Sequence, residues 1–405
     1  MLKRRHLPWL LCAALLTLPH TQTGRILAQS AICGPFSDVP SSSTFCPFIL
    51  EAYLSNITQG TSATTFNPVD PVNREQAVTF LSRTMDQTLH RATSRTAIGK
   101  SWSATATGGG IAADVGTAAS AGASINDIVS DGTFLWVARS DSKIIKVNAA
   151  DRHQIETWTI PSGSPRKLGV FAGMVWIADN AGNLYSFNPA NTPGSAGVSL
   201  GNGGVTPGSP ALAFDGSNVW WASAGGTKIA LFPLPTPLPT SFSPGTGTVE
   251  GMVFDGTNMW VLLSDSHLLK LSIPAPGGIP VVQETLTLPG VVNDCRMLYD
   301  GSNIWIPIGT TGTLYVVRPS LSSAGPSSIV KNEPIPDVVF PYVASFDSEN
   351  VMIGGLSNGT VALYRSTTLS RIRTFGSGAA GVRGIASDGL TFNVGDTGST
   401  RFFQF

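Results

Sequence analysis

From Ile125 onward, apolar and polar residues alternate in short runs broken by Gly, Asn, Asp and Ser. "VEGMVF" from Val249 and "QIETWTI" from Gln154 show the period of two that marks strands. Runs of this kind, flanked by turn residues, predict meandering antiparallel strands. Their order recurs. A first strand ("VEGMVF") enters an Asp-Gly-x-Asn turn, and a second ("MWVLL") follows. Then come a polar hairpin ("SDSH", "SNGT", "DNAGN"), a third strand ("LLKLSI") and often a fourth ("VVQETLTL").

The Asp-Gly pairs start at Asp131, Asp215, Asp255, Asp300 and Asp388, with degenerate copies in "VFAGMVW" (170–176) and "FDSENVM" (346–352). They define seven units of roughly 40–47 residues, the period of propeller blades. The predicted fold is therefore mainly β: a seven-bladed β-propeller over 125–405, with six or eight blades as alternatives. The last unit stops at "RFFQF", a third strand, so ring closure needs a strand from elsewhere. The Ala-, Gly-, Ser- and Thr-rich linker 89–124 is the expected source, within Ser101 to Val115. The turn Asp-Gly suits the positive φ of tight hairpins. The aromatic five residues after the Asp (Trp136, Trp220, Trp260, Trp305) is expected to pack between blades, as is Trp176 after a shorter turn.

Residues 33–88 carry a different period. "PFILEAYLSN" and "NREQAVTFLSRTM" have helical spacing. Asn73 is placed as an N-cap, Gln76 completes a capping box and Glu75 favours the helix dipole. The prolines of "GTSATTFNPVDPV" separate the two, which predicts a small helical hairpin module.

In order, "FSDVP" (36–40), "YLSNITQG" and "TFNPVDPVNREQAVTFLSR" make this segment resemble an S-layer homology module. The resemblance implies non-covalent binding to a cell-wall or envelope polysaccharide. A Thr-Arg-Ala-Glu-like motif contributes to that binding and reads Asn73-Arg74-Glu75-Gln76 here. Asn73, Arg74 and Gln76 are thus the implied glycan-binding residues, Arg74 pairing with an anionic sugar substituent near a helix start. The Thr and Glu positions of the motif have changed, and a helical cap or oligomerisation module is the other reading.

Composition adds an address. "MLKRRH", an apolar "LPWLLCAALLTLP" and the small residues of "ILAQSA" predict a secretory signal peptide over 1–29. No later run has the length of a membrane-spanning helix. With 25 basic and 25 acidic residues the net charge is zero, which gives no electrostatic footprint for nucleic acid. In an exported chain, Cys33 and Cys46 are candidates for a disulfide, and Cys295 is left as a buried structural thiol.

Candidate chemistry is sparse. The "DGxNxW" turns and strands like "KVNAADRHQIETW" resemble the streptogramin-lyase-like, NHL and quinoprotein-like repeat propellers, in blade pattern rather than in catalytic motifs. The lyase comparison implies His with acids and a divalent metal at the channel mouth. Of five histidines, His6 and His20 fall in the signal, His90 in the linker and His153 before an outer strand. Only His267 sits in a suitable loop, a weak catalytic candidate. No metal or cofactor site is predicted. The loops joining blades offer Arg166, Lys167, Glu250, Asn293, Asp294, Asp337 and Arg383. The sequence thus favours an exported envelope protein whose propeller is a non-catalytic binding or scaffold platform for an unidentified ligand. The alternative is an exported metal-dependent lyase or hydrolase.

Overall fold

The computed structural model describes residues 32–84 and 111–405, apart from 55–56, 75, 82, 117–121, 195–197, 201–209, 224–225, 235–238, 276–277, 291, 294 and 321–325. The signal-peptide residues and most of the linker lie outside this set. The chain divides into two compact units, 1–88 and 89–405.

In the first unit, Ile32–Cys33 pairs with Phe36–Pro40, and a helix follows over Cys46–Leu54. Arg74 and residues 76–81, 83 and 84 are also helical. Cys33 and Cys46 are joined by a disulfide. Beside it Phe36, fully buried, packs edge-on to Tyr53 with ring centroids 5.3 Å apart. Phe66 closes the same small core.

The second unit is a ring of seven four-stranded antiparallel sheets. Blade 1 spans 125–159, blade 2 165–199, blade 3 210–242, blade 4 249–287, blade 5 298–334 and blade 6 341–376. Blade 7 takes three strands from 382–404. Its fourth comes from the other end of the described ring: Ile111–Asp114 pairs antiparallel with Arg401–Gln404. The otherwise open edge is thereby hydrogen-bonded, and blade 7 lies against blade 1.

Blade 4 shows why the pattern folds this way. All five residues of its second strand, Met259–Leu263, are buried. Trp260 and Leu262 face the core shared with blade 5, whereas Met259, Val261 and Leu263 face the core shared with blade 3. The outer strand Val282–Thr287 alternates with solvent instead. Trp136, Trp176, Trp220 and Trp305 likewise pack into the core shared with the following blade.

The turn aspartate is part of this packing. Asp255 Oδ1 accepts from the amides of Thr257 (2.8 Å) and Asn258 (2.6 Å), and Oδ2 accepts from the Trp260 indole at 2.6 Å. Gly256 between them has φ of 93°, a left-handed value that favours glycine. Asp131, Asp215 and Asp300 repeat the indole bond at 2.9, 2.7 and 2.6 Å. In blade 2 the acid is absent, and Trp176 donates to the Phe171 carbonyl at 3.2 Å.

Candidate functional site

Two places carry candidate chemistry, one in each unit. In the N-terminal unit, Asn73 and Gln76 close a reciprocal capping box. The Gln76 amide donates to Asn73 Oδ1 at 2.8 Å, and the Asn73 amide to Gln76 Oε1 at 3.0 Å. Both side-chain oxygens therefore hold the helix start, while Arg74 is exposed on its first turn. Asp38 anchors the loop that leads there. Its carboxylate accepts from the amides of Phe66 (2.9 Å) and Asn67 (2.6 Å), and the Phe66 bond is the leading cause that holds its pKa below the usual carboxylate value.

In the propeller, the inner strands of blades 1, 2, 4, 6 and 7 each carry a β-bulge near their first residue. Five residues before the turn acid, the bulge position is Asn126 in blade 1, Glu250 in blade 4, Tyr342 in blade 6 and Arg383 in blade 7. In blade 2 it is Arg166. A bulge re-aims one side chain out of the sheet's alternation. Arg166, Glu250 and Arg383 were expected on joining loops; the structure places them inside inner strands, because pairing starts earlier than the turn residues imply.

Three of these positions, Asn126, Arg166 and Tyr342, meet at Arg296. Arg296 Nη1 donates to Asp127 Oδ1, and Nη2 donates to the carbonyls of Asn126 (3.1 Å) and Arg166 (2.7 Å). Arg296 leads into blade 5, which is three blades from blade 1 one way round the ring and three from blade 2 the other way, so this contact crosses the channel. The Arg296 amide donates to the Tyr342 carbonyl at 2.7 Å, and its guanidinium lies 5.4 Å from that ring. Asp127 Oδ2 accepts from the Leu168 amide at 2.7 Å and lies 4.0 Å from Lys167 Nζ. Arg166 Nη1 reaches Asn126 Oδ1 at 3.5 Å. Glu250 is buried beside Thr248, whose hydroxyl donates to it at 2.6 Å.

Other candidates stand apart. His267 is the first residue of a strand, His267–Leu271, and not a loop residue, because Ser266 at φ 70° closes the hairpin one position earlier. Its Nδ1 lies 3.0 Å from Asp265 Oδ1. Among the described residues there is no group of three or more His, Cys, Asp or Glu side chains arranged to hold a metal ion. Asp337 is exposed, Asn293 is bonded to Thr310, and Asp294 lies outside the described residues. Cys295 is buried and takes part in no disulfide. Asn126, Asp127, Arg296 and Tyr342 were not singled out from sequence, although counting back from each turn acid reaches Asn126 and Tyr342.

Residues 35–78 match the family model of the S-layer homology domain. That segment is an S-layer homology domain. A curated endoglucanase from Bacillus sp. (strain KSM-635) is 47% identical over 49 residues, which are 12% of this chain. The chain covers 5% of that protein's length. Among solved structures, the β-propeller domain of Cps50 (Swd1) from Myceliophteria thermophila aligns with a TM-score of 0.60 at 10% identity. The alignment covers 73% of this chain and 99% of that one, and it shows the fold. S-layer homology domains bind cell-wall polymers and are characteristic of exported, surface-anchored proteins. No helix among the described residues is long and apolar enough to cross a membrane.

Proposed function

We propose that this is an exported protein held at the cell surface by non-covalent binding of its S-layer homology domain to a cell-wall glycan, with the propeller displayed as a non-catalytic binding platform. The family match over 35–78 carries this reading. Export through the segment 1–29 and the Cys33–Cys46 bridge agree with an oxidising compartment. In the glycan-binding role, Arg74 makes the charged contact. Asn73 and Gln76 act by fixing the helix start that presents it, within a helical hairpin built from 46–54 and the helical residues between 74 and 84. The repeated acids of the propeller give no catalytic pair, since each indole-bonded Asp holds its own turn.

Cosedimentation of the full-length protein with purified cell-wall glycan tests the anchor. The wild type is retained, and Arg74→Ala releases most of it. No retention, or equal retention of the variant, defeats the assignment of Arg74.

A further inference from the structure

Each blade ends on an outer strand, and among the described residues no further strand pairs with that edge. An open row of backbone N–H and C=O groups invites another strand, and folded proteins blunt such edges by shortness or charge. Blades 2 and 3 end on strands of two and three residues, Val198–Ser199 and Thr240–Phe242. The blade 7 edge, Ile111–Asp114, is also short and finishes on Asp114 beside Arg401. The blade 1 edge carries Glu156 and starts after Asp151, Arg152 and His153. Blade 5 carries Lys331 and Glu333, and blade 6 carries Arg371 and Arg373.

Blade 4 is the exception. Its edge, Val282–Thr287, is full length, and Glu284 is the sole charged residue between Ser272 and Thr287. That carboxylate is turned sideways onto the segment entering the blade 5 edge, where it accepts from the Ser327 amide at 2.6 Å and the Ser327 hydroxyl at 2.8 Å. At the head of the strand Ile279, Val281 and Val282 are exposed. The register shows which backbone groups face outward. The Leu288 amide donates to the Ser266 carbonyl at 2.9 Å, and the pairing continues through Leu268 with Leu286 and Lys270 with Glu284. Leu286 and Glu284 therefore turn their N–H and C=O toward the neighbouring strand, while Thr285 and Thr287 turn theirs away from the blade. Both threonines are exposed, and being two residues apart they share one face.

We propose that the blade 4 edge pairs antiparallel with the same edge of a second copy of this chain, Thr285 of each copy standing opposite Thr287 of the other. Charge selects a second copy as the occupant. Self-pairing brings identical groups together, so the arginines of the blade 6 edge repel their own copies, whereas the blade 4 edge holds its one carboxylate on Ser327. The zero net charge of the chain adds no long-range repulsion between copies. The arrangement is also closed: one contact between Thr285 and Thr287 generates its twin by two-fold symmetry, uses the open edge of both chains and stops at two. Threonines opposite one another are a favourable cross-strand pair, and this register sets Val282 beside the exposed Pro289 of the second copy. Each pair carries two S-layer homology domains, which makes attachment to a repeating glycan bivalent. That consequence rests on the proposed anchor; the pairing itself does not.

Sedimentation velocity of the full-length protein over a dilution series tests this. The wild type is expected to pass from monomer to dimer as concentration rises. Thr285→Lys/Thr287→Lys sets like charges opposite one another and is expected to weaken association about tenfold or more. Thr285→Glu/Thr287→Glu does the same alone, and an equal mixture of the two variants restores a dimer, because each lysine then faces a glutamate. Val330→Lys, on the blade 5 edge, leaves the dimer intact. Thermal unfolding confirms that each variant is folded. Should the lysine variant unfold, the glutamate variant carries the comparison with Thr285→Pro, which removes an outward N–H that the blade's own ladder does not use. A monomer at every concentration overturns the proposal, as does a dimer indifferent to the Thr285 and Thr287 substitutions. Assembly beyond two copies overturns the closed pairing. A lysine–glutamate mixture that stays monomeric overturns the placement of Thr285 opposite Thr287, and loss of the dimer in Val330→Lys overturns the choice of edge.

Discussion

Arg296, in the segment that leads into blade 5, reaches across the centre of the ring to Asp127 of blade 1, and both side chains are buried, at 7% and 2% exposure. The pair joins blades that share no strand pairing and no common core. Taking away one partner leaves the other buried without its closest counter-charge. Asp127→Ala or Arg296→Ala is therefore expected to lower stability by about 3–5 kcal/mol. Replacing both, as Asp127→Leu with Arg296→Met, restores most of that loss, read as the midpoint of urea unfolding. Single and double variants that unfold alike would show that the pair does not act as a unit.

The indole–carboxylate bonds predict a graded series. Trp260→Phe keeps most of the ring but leaves Asp255 Oδ2 without its indole donor, at a cost of about 2 kcal/mol. Trp176→Phe removes a 3.2 Å bond to a neutral carbonyl and is expected to cost about 1 kcal/mol in that bond. Urea unfolding of the two variants side by side gives the order, and the reverse order contradicts it.

Ring closure has an acid limit. Thr400 Oγ1 donates to Asp114 Oδ1 at 2.6 Å, and this bond is the first cause that holds the Asp114 carboxyl below its usual value. A carboxylate depressed by folding contributes stability that is complete above its unfolded pKa, about 3.9, and is lost as pH falls through the folded value. Amide exchange at 401–404 should therefore accelerate only below about pH 4. In Thr400→Ala the onset should move up toward that value. An onset unchanged by the substitution would separate Asp114 from closure.

The Cys33–Cys46 bridge closes a short loop around the Phe36 core. A loop of this size is worth about 3 kcal/mol, a large share of what so small a core supplies. Reduction is expected to lower the melting transition of the N-terminal unit and to abolish glycan retention while leaving the propeller transition in place. Calorimetry with and without reductant shows which transition moves.

How far the sequence revealed all this depends on the range of each contact. The blade count was legible because each blade is built from local hairpins whose turn acids recur at one period. The partner of the Trp260 indole was not anticipated, although Asp255 stands five residues away; composition names the two groups but not the rotamer that joins them. The centre of the channel was hidden for a different reason. Arg296 and Asp127 are separated by 169 residues, and only ring closure brings them together. Arg166 and Arg383 were noticed as charges near blade junctions, yet the bulges that set their direction come from strand register, to which the alternation of residue types is blind.

In the proposed function the S-layer homology domain holds this protein to its envelope. The direct measurement is the partition between envelope and medium, in cells, of the full chain and of a chain lacking 33–88. The full chain is expected to stay with the envelope, and the deletion to release a folded propeller into the medium. Equal partition of the two chains would contradict it.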